Sequence, residues 1–154
     1  MNLWNIKERL DSSFLGLDKE SENLKKNNIF SFTKKYASLT EILIDHKLAS
    51  LGDAYINLVY SLVISNKKGE PSGAKVKGTL LAGAIKKSGL RDFLPSRMTR
   101  HTMADAAEAL VAYAWINNHV NLEESVKIIE RADDPVEGFS QLLTQIRSRI
   151  IFSS

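Results

Sequence analysis

The chain contains no cysteine, which excludes a disulfide framework and any zinc site built on thiolates. No stretch alternates apolar and polar residues for long enough to build a sheet, and there is no internal repeat or low-complexity tail. The N-terminus lacks the basic, then apolar, then small-residue pattern of a secretory signal, and no apolar run approaches the roughly 18 residues expected of a membrane span. A cytoplasmic protein without a membrane partner is the expectation. Proline is scarce as well: the chain has 3 of them, Pro71, Pro95 and Pro135, each beside a break in the helical pattern or at the start of a new one.

What is present is ordinary in bulk and uneven in detail. With 154 residues, 44% hydrophobic and 25% charged, the chain is long enough to bury a real core as one domain. Its net charge of +3 hides an asymmetry: from Asn66 to His101 nine basic residues stand against two acidic ones, giving +7, while 12 basic and 16 acidic residues elsewhere give −4. The basic set comprises Lys67, Lys68, Lys75, Lys77, Lys86, Lys87, Arg91, Arg97 and Arg100. Such a stretch suits a polyanionic partner gripped through its phosphates, or else a solvated lysine-rich surface.

The chain reads as helical throughout. Leu3–Phe14 is a short amphipathic start, and Leu15–Asn28 is polar. Ser38 with Glu41 forms a capping-box pattern ahead of Ile42, Leu43 and Ile44. Leu48–Ser65 is the most apolar segment, with Leu51, Ile56, Leu58, Val59, Leu62 and Val63 around much of its circumference, and is expected to be the central helix. A loop over Asn66–Ala74 leads to a helix over Lys75–Lys87, stopped by Ser88-Gly89. A further helix runs from about Thr99 to Asn118, Asn121 with Glu124 caps the next, and Asp134-Pro135 opens the last, to about Ile150.

Three carboxylates interrupt segments otherwise built for burial. Asp53 lies in the central apolar helix, and Asp105 and Glu108 lie three apart in an Ala-rich run, which puts them on one helical face where like charges repel. His101, Asp105 and Glu108 form one polar stripe, and Asp53, Asn57 and Tyr60 another, both at spacings of four and three. If the two stripes face each other, Asp53, Asp105 and Glu108 converge on one cavity and can hold a divalent cation such as Mg²⁺ or Mn²⁺, sufficient for phosphodiester hydrolysis without a side-chain nucleophile. Each acid facing solvent, or paired with a Lys, is the equally open alternative. Trp4, Trp115, Tyr55 and Tyr60 fall within apolar helical patterns and are expected in the core or at a dimer interface.

Leu51-Gly52-Asp53-Ala54 and Asp105-Ala106-Ala107-Glu108-Ala109-Leu110 resemble the two signature motifs of the ribonuclease III catalytic domain, in their order and separation, over roughly 38–127. The resemblance implies an all-α helical bundle, a homodimer, and a Mg²⁺-dependent endonuclease that cuts double-stranded or structured RNA, such as a ribosomal RNA precursor, leaving 5′-phosphate and 3′-hydroxyl ends. It implies Asp53, Asp105 and Glu108 as the catalytic and metal-binding acids. Larger relatives carry Glu-x-x-Glu ahead of Leu-Gly-Asp; here those positions hold His46 and Ala49, and the aromatic used in their dimer contact is Ser50. Short relatives similar to Mini-ribonuclease III also do without that acid.

The division expected is a helical extension over 1–37 and a catalytic unit over 38–154, with no separate double-stranded-RNA-binding domain following. The catalytic unit must then grip RNA itself, through Lys67, Lys68, Lys75, Lys77, Arg97 and Arg100, with His101 either lining the active site or packing locally. Two other readings stay open: a catalytically inactive relative that binds RNA or a ribosome, and an all-α metal-dependent nucleotide phosphohydrolase.

Overall fold

The computed structural model describes residues 29–153. The expected helices Leu3–Phe14 and Leu15–Asn28, and Trp4, lie outside the described residues. The chain divides into two units, Met1–Thr33 and Lys34–Ser154. In the described part of the first, Thr33 closes a turn by donating its Oγ1 hydrogen to the Phe30 carbonyl at 3.0 Å.

The second unit is all-α. Among the described residues there are six α-helices and no strand: α1 (Leu39–Leu43), α2 (His46–Lys68), α3 (Gly78–Lys87), α4 (Arg100–Ile116), α5 (Leu122–Arg131) and α6 (Pro135–Arg149), with a 3₁₀ turn at Leu90–Phe93. The caps follow the sequence. Ser38, Thr99, Asn121 and Asp134 each accept a backbone N–H of the first turn behind them, and Pro135 opens α6, where its missing N–H costs nothing. Asp45 is a further cap: its Oδ1 accepts the Lys47 and Leu48 N–H groups at 3.1 Å each and starts α2 two residues earlier than the apolar pattern suggests. At the other end α2 runs through Lys68, to a left-handed Gly69 with φ 72°.

The most enclosed helix is α4, not the apolar α2 that the sequence suggests. Ten of the 17 residues of α4 are buried, and it packs against α1, α2, α3 and α6. Its alanines are what allow four neighbours to come close. In α2 only six of 23 residues are buried, because one side packs on α4 and α5 while Leu51 and Leu58 stay 38% and 49% exposed. By length and composition alone, α2 is also long and apolar enough to cross a membrane, which corrects the expectation that no run approaches that length. A helix packed along one side on α4 and α5 meets the same criterion.

The decisive contact lies between α2 and α4. A Cβ added at Gly52 would stand 1.9 Å from the backbone oxygen of Glu108, so any larger residue would force the helices apart. Glycine at this position draws the α2 and α4 backbones together one residue before Asp53. The helix expected to begin at Lys75 begins instead at Gly78, because residues 72–76 run extended along α2: the Val76 N–H is held by Asn57 Oδ1 at 2.9 Å, and the Ala74 N–H by Ser61 Oγ at 2.8 Å.

Candidate active site

The Gly52 contact brings the two acid-bearing stripes face to face. Asp53 faces Glu108 closely enough for its charge to bear on the Glu108 carboxyl, and Asp105 adds its charge one turn away on α4. Burial first, then the fields of Asp53 and Asp105, push the Glu108 carboxyl up to about 7, against a smaller downward pull from Lys75. At neutral pH the Glu108 carboxyl is therefore partly protonated. Asp53 receives a hydrogen bond from Asn57 Nδ2 at 3.2 Å.

Asp105 is tied differently. Its Oδ2 lies 3.3 Å from Nδ1 of His46 and 3.8 Å from Nε2 of His101. The His46 contact joins α2 to α4 across 59 positions of sequence. The imidazole that stands where larger relatives of the resembled family carry an acid thus contacts a member of the site. Ala49, at the other altered position, is buried and offers no oxygen. Among the described residues no three His, Asp or Glu side chains are gathered into a formed metal-binding cluster. The donor set itself, half-buried carboxylates whose mutual repulsion a cation would relieve, suits a hard divalent ion such as Mg²⁺ or Mn²⁺.

The basic residues separate into three groups. Lys75 bears on Glu108 from the extended segment. Lys67 and Lys68 close the last turn of α2, with Lys68 Nζ donating to Ser72 Oγ at 3.2 Å, and Lys77 stands at the cap of α3. All four are exposed, as are Arg97, Arg100 and His101. Two others of the basic stretch are engaged by contacts within the chain, Lys87 at an exposed position. Arg91 donates to the carbonyls of Leu94, Pro95 and Ser96, and Lys87 pairs with Glu137.

Several residues of this neighbourhood are not marked out by the sequence patterns above. Lys34, Lys35, His46 and Lys47 line an open cavity of about 600 Å³ at the start of α2. The consecutive lysines Lys34 and Lys35, just ahead of the capping box, are the available signal. Ser61 and Ser65 have none, because their partners are the backbone of a segment with no period of its own.

A search of curated proteins finds no match. The family model described as Ribonuclease III matches residues 46–150. That range holds every helix from α2 to α6 and all three acids, and with the all-α fold it establishes that the chain belongs to the ribonuclease III family.

Proposed function

We propose that this protein is a metal-dependent endoribonuclease that hydrolyses double-stranded or structured RNA as a homodimer, leaving 5′-phosphate and 3′-hydroxyl ends. The observation that carries the reading is the approach of Glu108 to Asp53 over Gly52, which concentrates negative charge at one half-buried point beside an exposed lysine. Asp53, Asp105 and Glu108 would hold the cation, Mg²⁺ or Mn²⁺, which when bound supplies an activated water and stabilises charge at the scissile phosphate. The chain's own groups do the rest. The Glu108 carboxyl, raised to about 7, must give up its proton for a cation to bind there, so loading strengthens as pH rises through 7. Lys75 sets positive charge against the acids, while Lys67, Lys68 and Lys77 grip phosphates farther along the strand; Arg97, Arg100 and His101 extend that grip at the start of α4.

The exposed side of α2 supports the homodimer. Leu51, Ala54 and Leu58 form a stripe at spacings of three and four, flanked by the half-buried Leu62. A two-fold partner packed on this stripe would cover it and present a second set of acids to the opposite strand of a duplex.

A buried Ala49 in place of an acid favours a second reading: a catalytically inactive relative that binds RNA or a ribosome. One experiment decides between them. Purified protein with Mg²⁺ or Mn²⁺ is expected to cut a simple RNA duplex, and Asp53→Asn or Glu108→Gln to abolish cutting while leaving RNA binding in place. Binding without cleavage by the wild-type protein selects the second reading; cleavage by both variants at the wild-type rate removes these acids from the chemistry.

A further inference from the structure

Asn57 lies one turn beyond Asp53 on α2 and bonds in two directions. Its Nδ2 donates to Asp53 Oδ1 at 3.2 Å, and its Oδ1 accepts the Val76 backbone N–H at 2.9 Å. A carboxamide has one donor end and one acceptor end. Once a backbone N–H occupies the oxygen, the NH₂ end must be the one that meets Asp53. Without that anchor the amide could turn over and set its oxygen against the carboxylate.

The anchor is itself held. Ser61 Oγ accepts the Ala74 N–H at 2.8 Å and donates to the Ala74 carbonyl at 3.0 Å; Ser65 Oγ accepts the Ser72 N–H at 2.9 Å and lies 3.1 Å from the Ser72 carbonyl. Helix positions 57, 61 and 65 thus meet chain positions 76, 74 and 72 in antiparallel order. Four helical residues and two extended ones both advance about 6 Å, so the stations coincide. The same segment carries Lys75, whose charge bears on Glu108.

We propose that Asn57 is a positioning residue for Asp53, and that the segment from Ser72 to Val76, fastened to α2 by Ser61 and Ser65, fixes it in that role. The inference rests on Asp53 belonging to an RNA-cleaving centre. Groups that orient the ligands of a metal site typically change affinity or activity by about 10–100-fold when removed.

The test uses the whole chain, with kcat and KM measured on an RNA duplex in Mg²⁺, Mn²⁺ affinity measured by calorimetry without RNA, and thermal melting. Asn57→Ala is expected to lower kcat by about 10–100-fold and weaken Mn²⁺ binding by about 10-fold, with KM little changed. Asn57→Asp keeps an oxygen for Val76 but loses the donor toward Asp53, so its kcat should fall as far. Ser61→Ala combined with Ser65→Ala leaves Asn57 intact and should produce a smaller loss of the same kind. Wild-type kcat in the Asn57→Asp variant would reduce Asn57 to a fastener of the loop and overturn the proposal. So would a double serine variant that melts earlier with kcat and Mn²⁺ affinity unchanged. Wild-type protein that neither cuts the duplex nor binds Mn²⁺ overturns the nuclease reading itself, and this inference falls with it.

Discussion

Tyr36 donates its phenolic hydrogen to Oδ2 of Asp45 across 2.7 Å, and in doing so ties the segment ahead of α1 to the cap of α2. Lys34 Nζ lies 3.1 Å from the same oxygen, and the Tyr36 ring stands edge-on to Tyr113 of α4 at 5.6 Å. One carboxylate thereby joins two pieces of chain, and the Tyr36 ring carries the contact on to α4.

That knot should be sensitive to acid. Burial pushes the Asp45 carboxyl up, but bonds from Tyr36, the Leu48 N–H and Lys34 outweigh it and hold the group at about 2, below its ordinary 3.8. A depressed folded-state pKa gives stability that is fully present above pH ~4 and lost as pH falls toward ~2. The contribution is about 1–2 kcal/mol after allowance for solvent screening. Asp45→Asn, which still caps the helix, should unfold more easily in denaturant than wild type at pH 6, and the gap should close by pH 2. A gap of constant size across that range would mean that the charge of Asp45 is not what matters.

Gly52→Ala should damage both fold and site. Its methyl would stand 1.9 Å from a backbone oxygen that no rotamer can move, so α2 and α4 must separate. The expected cost is about 3 kcal/mol or more, and a fall in Tm on the order of 10 °C. Because the separation also parts Asp53 from Glu108, the Glu108 carboxyl should titrate below 7 in this variant. An unchanged melting curve would show that the helices have slack at this contact.

Leu58→Glu places a charge in the middle of the exposed α2 stripe while leaving the buried side of the helix intact. Sedimentation of the wild-type protein at micromolar concentration is expected to give about twice the 17.2 kDa chain mass, and the variant to give the single-chain mass with similar secondary structure. A wild-type monomer would overturn the homodimer, and a Leu58→Glu variant that still dimerises would place the association elsewhere.

Lys75 and Lys77 should separate under kinetic analysis. Each phosphate contact removed takes about 0.9 from the slope of log affinity against log salt for a B-form duplex, and RNA should respond on a similar scale. Lys77→Ala is expected to raise KM and flatten that slope with kcat held. Lys75→Ala should also lower kcat, and should raise the Glu108 pKa further by removing the cation that opposes its neighbours. Equal behaviour of the two variants would argue that Lys75 only grips.

The acids and most helix caps are legible because each is written in a few adjacent residues: Asp105 and Glu108 sit three apart, and Asn121 stands three before Glu124. Gly52 is visible only as part of a motif, since nothing local says which backbone it will meet. The pattern overstates the centrality of α2 for a related reason. Periodicity reports how much apolar surface a helix has, and the small alanines that let α4 sit among four neighbours weigh little on that scale. The ends of α2 and α3 differ from expectation because Asp45, Asn57, Ser61 and Ser65 compete for backbone groups, and such bonds depend on which segments lie side by side. His46 stands out in the sequence only as a missing acid; its contact with Asp105 needs the fold.

Asp53, Asn57, Ser61 and Ser65 occupy one helical row, and the row serves two purposes in succession. Its last three members hold an extended chain, which has turned into α3 by Gly78 and leaves the first member to face Glu108. Fastening and chemistry therefore share a single register. Inserting or deleting one residue anywhere between Asp53 and Ser65 would rotate one part of the row by about 100° against the other, so this stretch of α2 can change its letters more freely than its length.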